Sequence, residues 1–193
     1  MSRWLLVLSG LLFLLYPVLR PWHDETTVDG ARAAMGSTAW VLAHLVAMLG
    51  FVLVPIALLG LRERLGTTPT IVMWLGAGLV LPYYGAEDFG LFAAASHDSD
   101  LLAVAETLRY NAFAVTLFGI GLLALAVGAV LVAVKDRSAV LFAAGFVLFL
   151  PQFFTPAPMR IAHGVLMLVG LLWFAFKNTA AKPQHVPATG TSV

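Results

Sequence analysis

The chain has 193 residues, 61% of them apolar and 11% charged, with a formal net charge of +1 and a mean hydropathy of +0.93. Soluble domains average about 25% charged and 45–50% apolar residues, so an ordinary water-soluble globule is excluded, and the near-balanced charge excludes the basic surface that nucleic-acid binding needs. The absence of cysteine removes disulfide staples, thiolate metal sites and thiol redox chemistry.

A helix crossing a bilayer core about 30 Å thick needs about 20 predominantly apolar residues. Six runs are candidates in chain order, the first of them short: Trp4–Leu19, Ser37–Leu61, Thr70–Ala95, Tyr110–Val134, Ala139–Phe154 and Ile161–Phe176. Lipid offers no partner to backbone N–H and C=O groups, so each run is predicted to be helical. The first run ends in Tyr16-Pro17-Val18-Leu19-Arg20, with no small-residue cleavage pattern, and is expected to be a retained helix. The expected fold is an all-α polytopic transmembrane bundle of six spans, one domain over residues 1–178, with a disordered Pro-, Thr- and Gly-rich tail over 179–193.

Orientation follows from Lys and Arg on alternate faces. One face collects Arg3, Arg62, Arg64, Lys135, Arg137, Lys177 and Lys182, whereas the other has Arg20, Arg32, Arg109 and Arg160 with most of the loop acids. This bias places both termini in the cytoplasm. Two outer segments are expected to continue the helices they lead into. The first starts at Thr26, three residues before Asp29, and the second at His97-Asp98-Ser99-Asp100, ahead of a helical apolar stripe from Leu101. Pro55 and Pro82 are expected to bend their helices, and Gly119 and Gly121 to face neighbouring helices.

Ionisable side chains inside a membrane are costly and mark functional candidates. At a rise of about 1.5 Å per residue, His44 lies roughly 6 Å inside Trp40, His163 about 4–5 Å inside Arg160, and Glu87 about 24 Å beyond Ile71. All three reach one level in the outer third, close to Asp88, Asn111 and Gln152, while the inner halves lack charged or amide groups. That asymmetry argues for an outward-facing site and against a pump, which keeps its binding groups near the midplane. The candidate pocket is therefore His44, Tyr84, Glu87, Asp88, Asn111, Arg160 and His163. Tyr83 and Tyr84, one turn before the acids, are placed to reach the carboxylates.

Three functions are compatible with this pocket. The first is a non-enzymatic membrane component or ligand-binding protein. The second is a haem b or divalent-metal protein using His44 and His163, with Glu87 as a third metal candidate. The third is an intramembrane metal-dependent hydrolase, for which paired His-x-x-x-His or Glu-x-x-His spacing is absent. For the acids, an ion pair with Arg109 or Arg160 is the structural alternative. Membrane lipids are the expected surroundings, with other membrane subunits or a homo-oligomer as further partners and no nucleic acid. The Arg-over-Lys, Ala- and Gly-rich composition resembles small multi-pass proteins of the bacterial inner membrane.

Overall fold

The structure, a computed structural model, describes residues 2–97 and 100–177, so the tail expected over 179–193 and the residues Asp98 and Ser99 lie outside the described part. Every regular element among the described residues is helical. Four helices are long and apolar enough to cross a membrane: α1 (Ser2–Leu19), α3 (Thr38–Leu59), α8 (Ala112–Lys135) and α11 (Ala157–Lys177). Two further apolar runs are irregular. The first comprises α5 (Thr68–Gly85), a π-helical turn (Ala86–Gly90) and α6 (Leu91–Ala95), which follow one another directly. The second comprises a 3-10 turn (Arg137–Ala139), α9 (Val140–Val147) and α10 (Phe149–Gln152), broken at Leu148. A single turn, α4 (Arg62–Leu65), links α3 to α5.

These segments form a closed ring. Each of α1, α3, α5, α8 and α9 packs against the next, and α11 closes the circle against both α9 and α1. The centre is aromatic: Phe13 meets the rings of Phe51, Phe146 and Phe149 edge-on at 5.0, 5.8 and 5.7 Å between centroids. The periphery is apolar as well, with Leu11, Leu49, Leu75, Leu123 and Val127 exposed. A soluble monomer rarely shows so continuous an apolar surface, and a lipid-facing surface accounts for it. Close approach of α5 to α8 depends on two glycines: a Cβ on Gly76 would lie 2.8 Å from the Gly121 carbonyl oxygen, and one on Gly121 would lie 2.8 Å from Val80. Gly119 departs from expectation, since a Cβ there meets nothing within 4 Å.

One end of the ring carries a cap built by α2 (Val28–Met35) and α7 (Leu101–Tyr110). Ala31, Ala34 and Met35 of α2 and Leu101 and Ala105 of α7 bury themselves against Trp40, Leu91 and Ala95. Neither helix continues into its successor, contrary to the expectation from sequence. Ser37 and Asn111 take up extended backbone and their side chains accept from Trp40 N–H and Ala114 N–H, so α3 and α8 start afresh with their own caps. The start of α2 also lies one residue later than expected. Thr26 donates its hydroxyl to Asp24, and Thr27 is the residue whose side chain accepts from Gly30 N–H. The Thr26 hydroxyl and then its backbone N–H hold the Asp24 carboxyl below the ordinary carboxylate value. The last helix begins at Ala157, ahead of the expected Ile161, because prolines are tolerated in a first turn where N–H groups have no helical acceptor. Pro55 does not interrupt α3 and Pro82 does not interrupt α5, whose π turn starts four residues further on at Ala86.

Candidate functional site

Beneath the cap, the ring encloses an open cavity of about 790 Å³. Its wall draws on nearly every part of the ring. Tyr16 comes from α1, His44 from α3, Tyr83 and Tyr84 from α5, Glu87 from the π turn, Phe118 and Gly119 from α8, Leu150 from α10 and Arg160 from α11. The connection after α1 adds Arg20, Trp22, His23 and Glu25, and the end of α7 adds Arg109 and Tyr110. The floor is aromatic: Tyr83 stacks on Phe118 with centroids 4.1 Å apart, and Phe118 meets Phe153 at 5.5 Å.

The charged groups are nearly all spent on one another. Arg109 grips Glu87 with two parallel hydrogen bonds, Nε to Oε1 at 2.6 Å and Nη2 to Oε2 at 2.9 Å. It also reaches Glu25 at 3.0 Å, and Glu25 in turn accepts from Arg20. Burial opposes the charge on Arg109, but the Glu87 and Glu25 carboxylates outweigh it and hold the guanidinium above its ordinary pKa. Trp40 completes the network: its indole N–H donates to the Glu87 backbone oxygen at 2.8 Å, and the Arg20 guanidinium lies 4.7 Å from its ring. The chain Arg20–Glu25–Arg109–Glu87 thereby ties the end of α1, the cap and the π turn together.

Arg160 is bound differently. Its Nε and Nη2 donate to the backbone oxygens of Thr155 and Phe153, and its guanidinium lies over the rings of Trp22 at 5.3 Å and Phe153 at 5.8 Å. No carboxylate among the described residues pairs with it.

The candidate residues from the sequence divide into two groups. His44, Tyr84, Glu87 and Arg160 line the cavity together, whereas Asp88, Asn111 and His163 do not. Asn111 is spent as the cap of α8. Asp88 is fully buried beside Glu87, and neither of its oxygens has a hydrogen-bond partner among the described residues, so Tyr84 does not reach it as expected. His163 donates from Nε2 to the Gly145 backbone oxygen at 2.8 Å and packs edge-on against Phe149 at 5.1 Å. His44 donates from Nδ1 to the Trp40 backbone oxygen at 2.8 Å, with its ring 4.5 Å from the indole. A carbonyl only accepts, so each ring carries its proton on the bonded nitrogen and is fixed in orientation. Among the described residues, no group of three or more His, Cys, Asp or Glu side chains that could hold a metal ion is formed, by His44, Glu87 and His163 or by others. Glu87 is taken by Arg109, and His163 turns to a backbone carbonyl.

Sequence reasoning missed Tyr16, Arg20, Trp22 and Glu25. The available signal was the spacing Arg20-Pro21-Trp22-His23-Asp24-Glu25, which packs cation, indole and acid into one short connection. Comparison with protein-family models, with curated proteins and with solved structures finds no match. Fold and site together define a chain whose described regular elements are all helical, with several membrane-compatible helices and an aromatic-walled cavity holding a few charged groups at one end.

Proposed function

We propose that this chain is a small multi-pass cell-membrane protein, with six helical segments crossing the bilayer, both termini cytoplasmic and the capped end on the extracytoplasmic side. It is one helical domain, with residues 179–193 as its cytoplasmic tail. Its role is to bind a small ligand in the capped-end cavity, alone or as a subunit beside other membrane proteins or further copies of itself. Lys and Arg crowding at the uncapped end supports the orientation.

The cavity is the observation that carries the functional reading. A volume of about 790 Å³ falls within the roughly 300–1,000 Å³ typical of small-molecule sites, and an apolar wall with a few fixed polar groups is their usual construction. The groups suited to acid–base work are committed: Glu87 to Arg109, and His44 Nδ1 to a backbone carbonyl. That favours binding over hydrolysis. The divergent histidine partners likewise favour an organic ligand over a haem held between His44 and His163.

Native mass spectrometry of protein released from mild detergent tests this. The wild type should carry a non-protein adduct that is extractable into organic solvent. A Gly119→Leu variant, whose new side chain enters open space on the cavity wall, should fold and lose the adduct. A wild type of bare polypeptide mass overturns the reading, and a Soret band would restore the haem alternative.

A further inference from the structure

The cavity wall holds three guanidinium groups, Arg20, Arg109 and Arg160, and two carboxylates, Glu25 and Glu87. Arg20 and Arg109 are satisfied by those carboxylates. Arg160 has a full positive charge met by neutral carbonyl oxygens and by the faces of Trp22 and Phe153, with no carboxylate partner among the described residues. A guanidinium has five N–H donors. Two of them serve Thr155 and Phe153, and the others remain on a side chain that lines the cavity.

Its position in the helix sharpens the point. Arg160 stands in the first turn of the 21-residue α11, the end at which the helix dipole is positive and a cation is disfavoured. Thr155, Pro156 and Ala157, at the start of the same helix, also line the cavity. Pro156 and Pro158 bring no N–H to this turn, and the Met159 and Arg160 N–H groups donate to the Pro156 oxygen, so the Arg160 guanidinium is the group an anion would pair with there.

The rest of the cavity sets the remainder of the ligand. Phe118, Leu150 and Phe153 form an apolar wall, and two aromatics at the mouth, Tyr110 and Phe154, are 74% and 85% exposed. Tyr110 closes α7 two residues ahead of α8, where an exposed tyrosine belongs at the membrane–water interface. An opening at that level would meet lipid as well as water.

Resting on the ligand-binding reading above, we propose that the ligand is an anionic amphiphile: an oxyanion head, carboxylate or phosphate, paired with Arg160, and a single apolar chain against Phe118 and Phe153, entering from the bilayer. Fatty acids and anionic phospholipids share this head chemistry, and inorganic phosphate has the head alone.

The test is native mass spectrometry titration of delipidated full-length protein with myristic acid, its methyl ester, phosphatidylglycerol and inorganic phosphate. A charge-assisted hydrogen-bonded pair corresponds to a tenfold or greater preference for the acid over the ester, roughly. Arg160→Gln should bring acid affinity down to that of the ester, and Gly119→Leu should abolish binding of both. Phosphate alone should not bind. Of the two amphiphiles, the fatty acid should bind more tightly, because the cavity accommodates one chain. Equal affinity of wild type for acid and ester, or a preference that survives Arg160→Gln, overturns the assignment of Arg160 and leaves the pocket reading standing. Failure of wild type to bind any amphiphile overturns this proposal, with the endogenous adduct still deciding the pocket reading. Should Arg160→Gln lose its helical circular dichroism, the wild-type acid–ester comparison decides the matter by itself.

Discussion

Replacing Arg109 with Met tests whether the ion network at the capped end holds the bundle together. Methionine keeps most of the stem volume, so the change removes charge and hydrogen bonds with little loss of packing. The two carboxylates that meet Arg109 are affected unequally. Glu25 retains Arg20, whereas Glu87 has Arg109 as its one ion-pair partner among the described residues. The substitution therefore strands one buried carboxylate, and removal of one partner of a buried pair costs about 3–5 kcal/mol. We take the lower end, about 3 kcal/mol, because the Trp40 indole continues to fix the Glu87 backbone. That is roughly a hundredfold change in the folded-to-unfolded ratio. Removing the stranded charge as well, in Arg109→Met with Glu87→Met, should recover about 2 kcal/mol, since an apolar pair can replace a buried ion pair with little loss. Equilibrium unfolding in mixed micelles of mild and denaturing detergent, followed by tryptophan fluorescence, measures all four corners of the cycle. Trp40 lies 5.9 Å from the Arg109 guanidinium and reports the site directly. Additivity of the two single changes within about 0.5 kcal/mol, or a loss under about 1 kcal/mol for Arg109→Met, typical of an exposed pair, would refute the argument.

Other outcomes follow from the same geometry. Gly121→Leu should lower the thermal midpoint of the delipidated protein sharply by forcing α8 off α5, while Gly119→Leu, two residues away, should leave it unchanged or raised; paired melting curves without ligand check this. Asp88→Asn keeps the shape and removes a buried charge, whose desolvation costs more than that of a neutral amide, so it should raise stability, and a lower midpoint would show that the carboxylate has a partner. A reporter fused behind Val193 should be active only on the cytoplasmic side, and activity outside would reverse the orientation of the cavity.

Helix positions were legible in the sequence because lipid imposes a one-to-one rule: a sufficiently long apolar run must satisfy its backbone internally. Ser37 marked the start of the second run and proved to be the cap of α3. Glu87 and Arg109 were recognisable as possible partners because charge inside such a run demands compensation. What the sequence concealed was rotation about each helix axis. His44 and His163 were placed at equal depth, but depth does not fix which way a side chain faces, and His163 turns to the α9 backbone. The spans are apolar all round, so no polar stripe marks their inner faces. For the same reason Tyr16, Phe118 and Phe153 looked no different from aromatics that face lipid or the central core. Gly119 and Gly121, identical in type and two residues apart, serve an open wall and a helix contact respectively. Only the neighbouring helices distinguish them.

The closure of the ring has a consequence for how the molecule comes into being. Tyr16 stands on the first helix and Arg160 on the last, and those two helices are direct neighbours. During synthesis, every other wall of the cavity is delivered to the membrane before the element that carries Arg160. Contacts of such long sequence separation form late and require the whole chain to be in place. Chains halted before α11 have no pocket, and a compound that binds there stabilises only finished molecules, by mass action on the native form alone. On the proposed ligand-binding reading, occupancy of the cavity would be a readout of completed insertion.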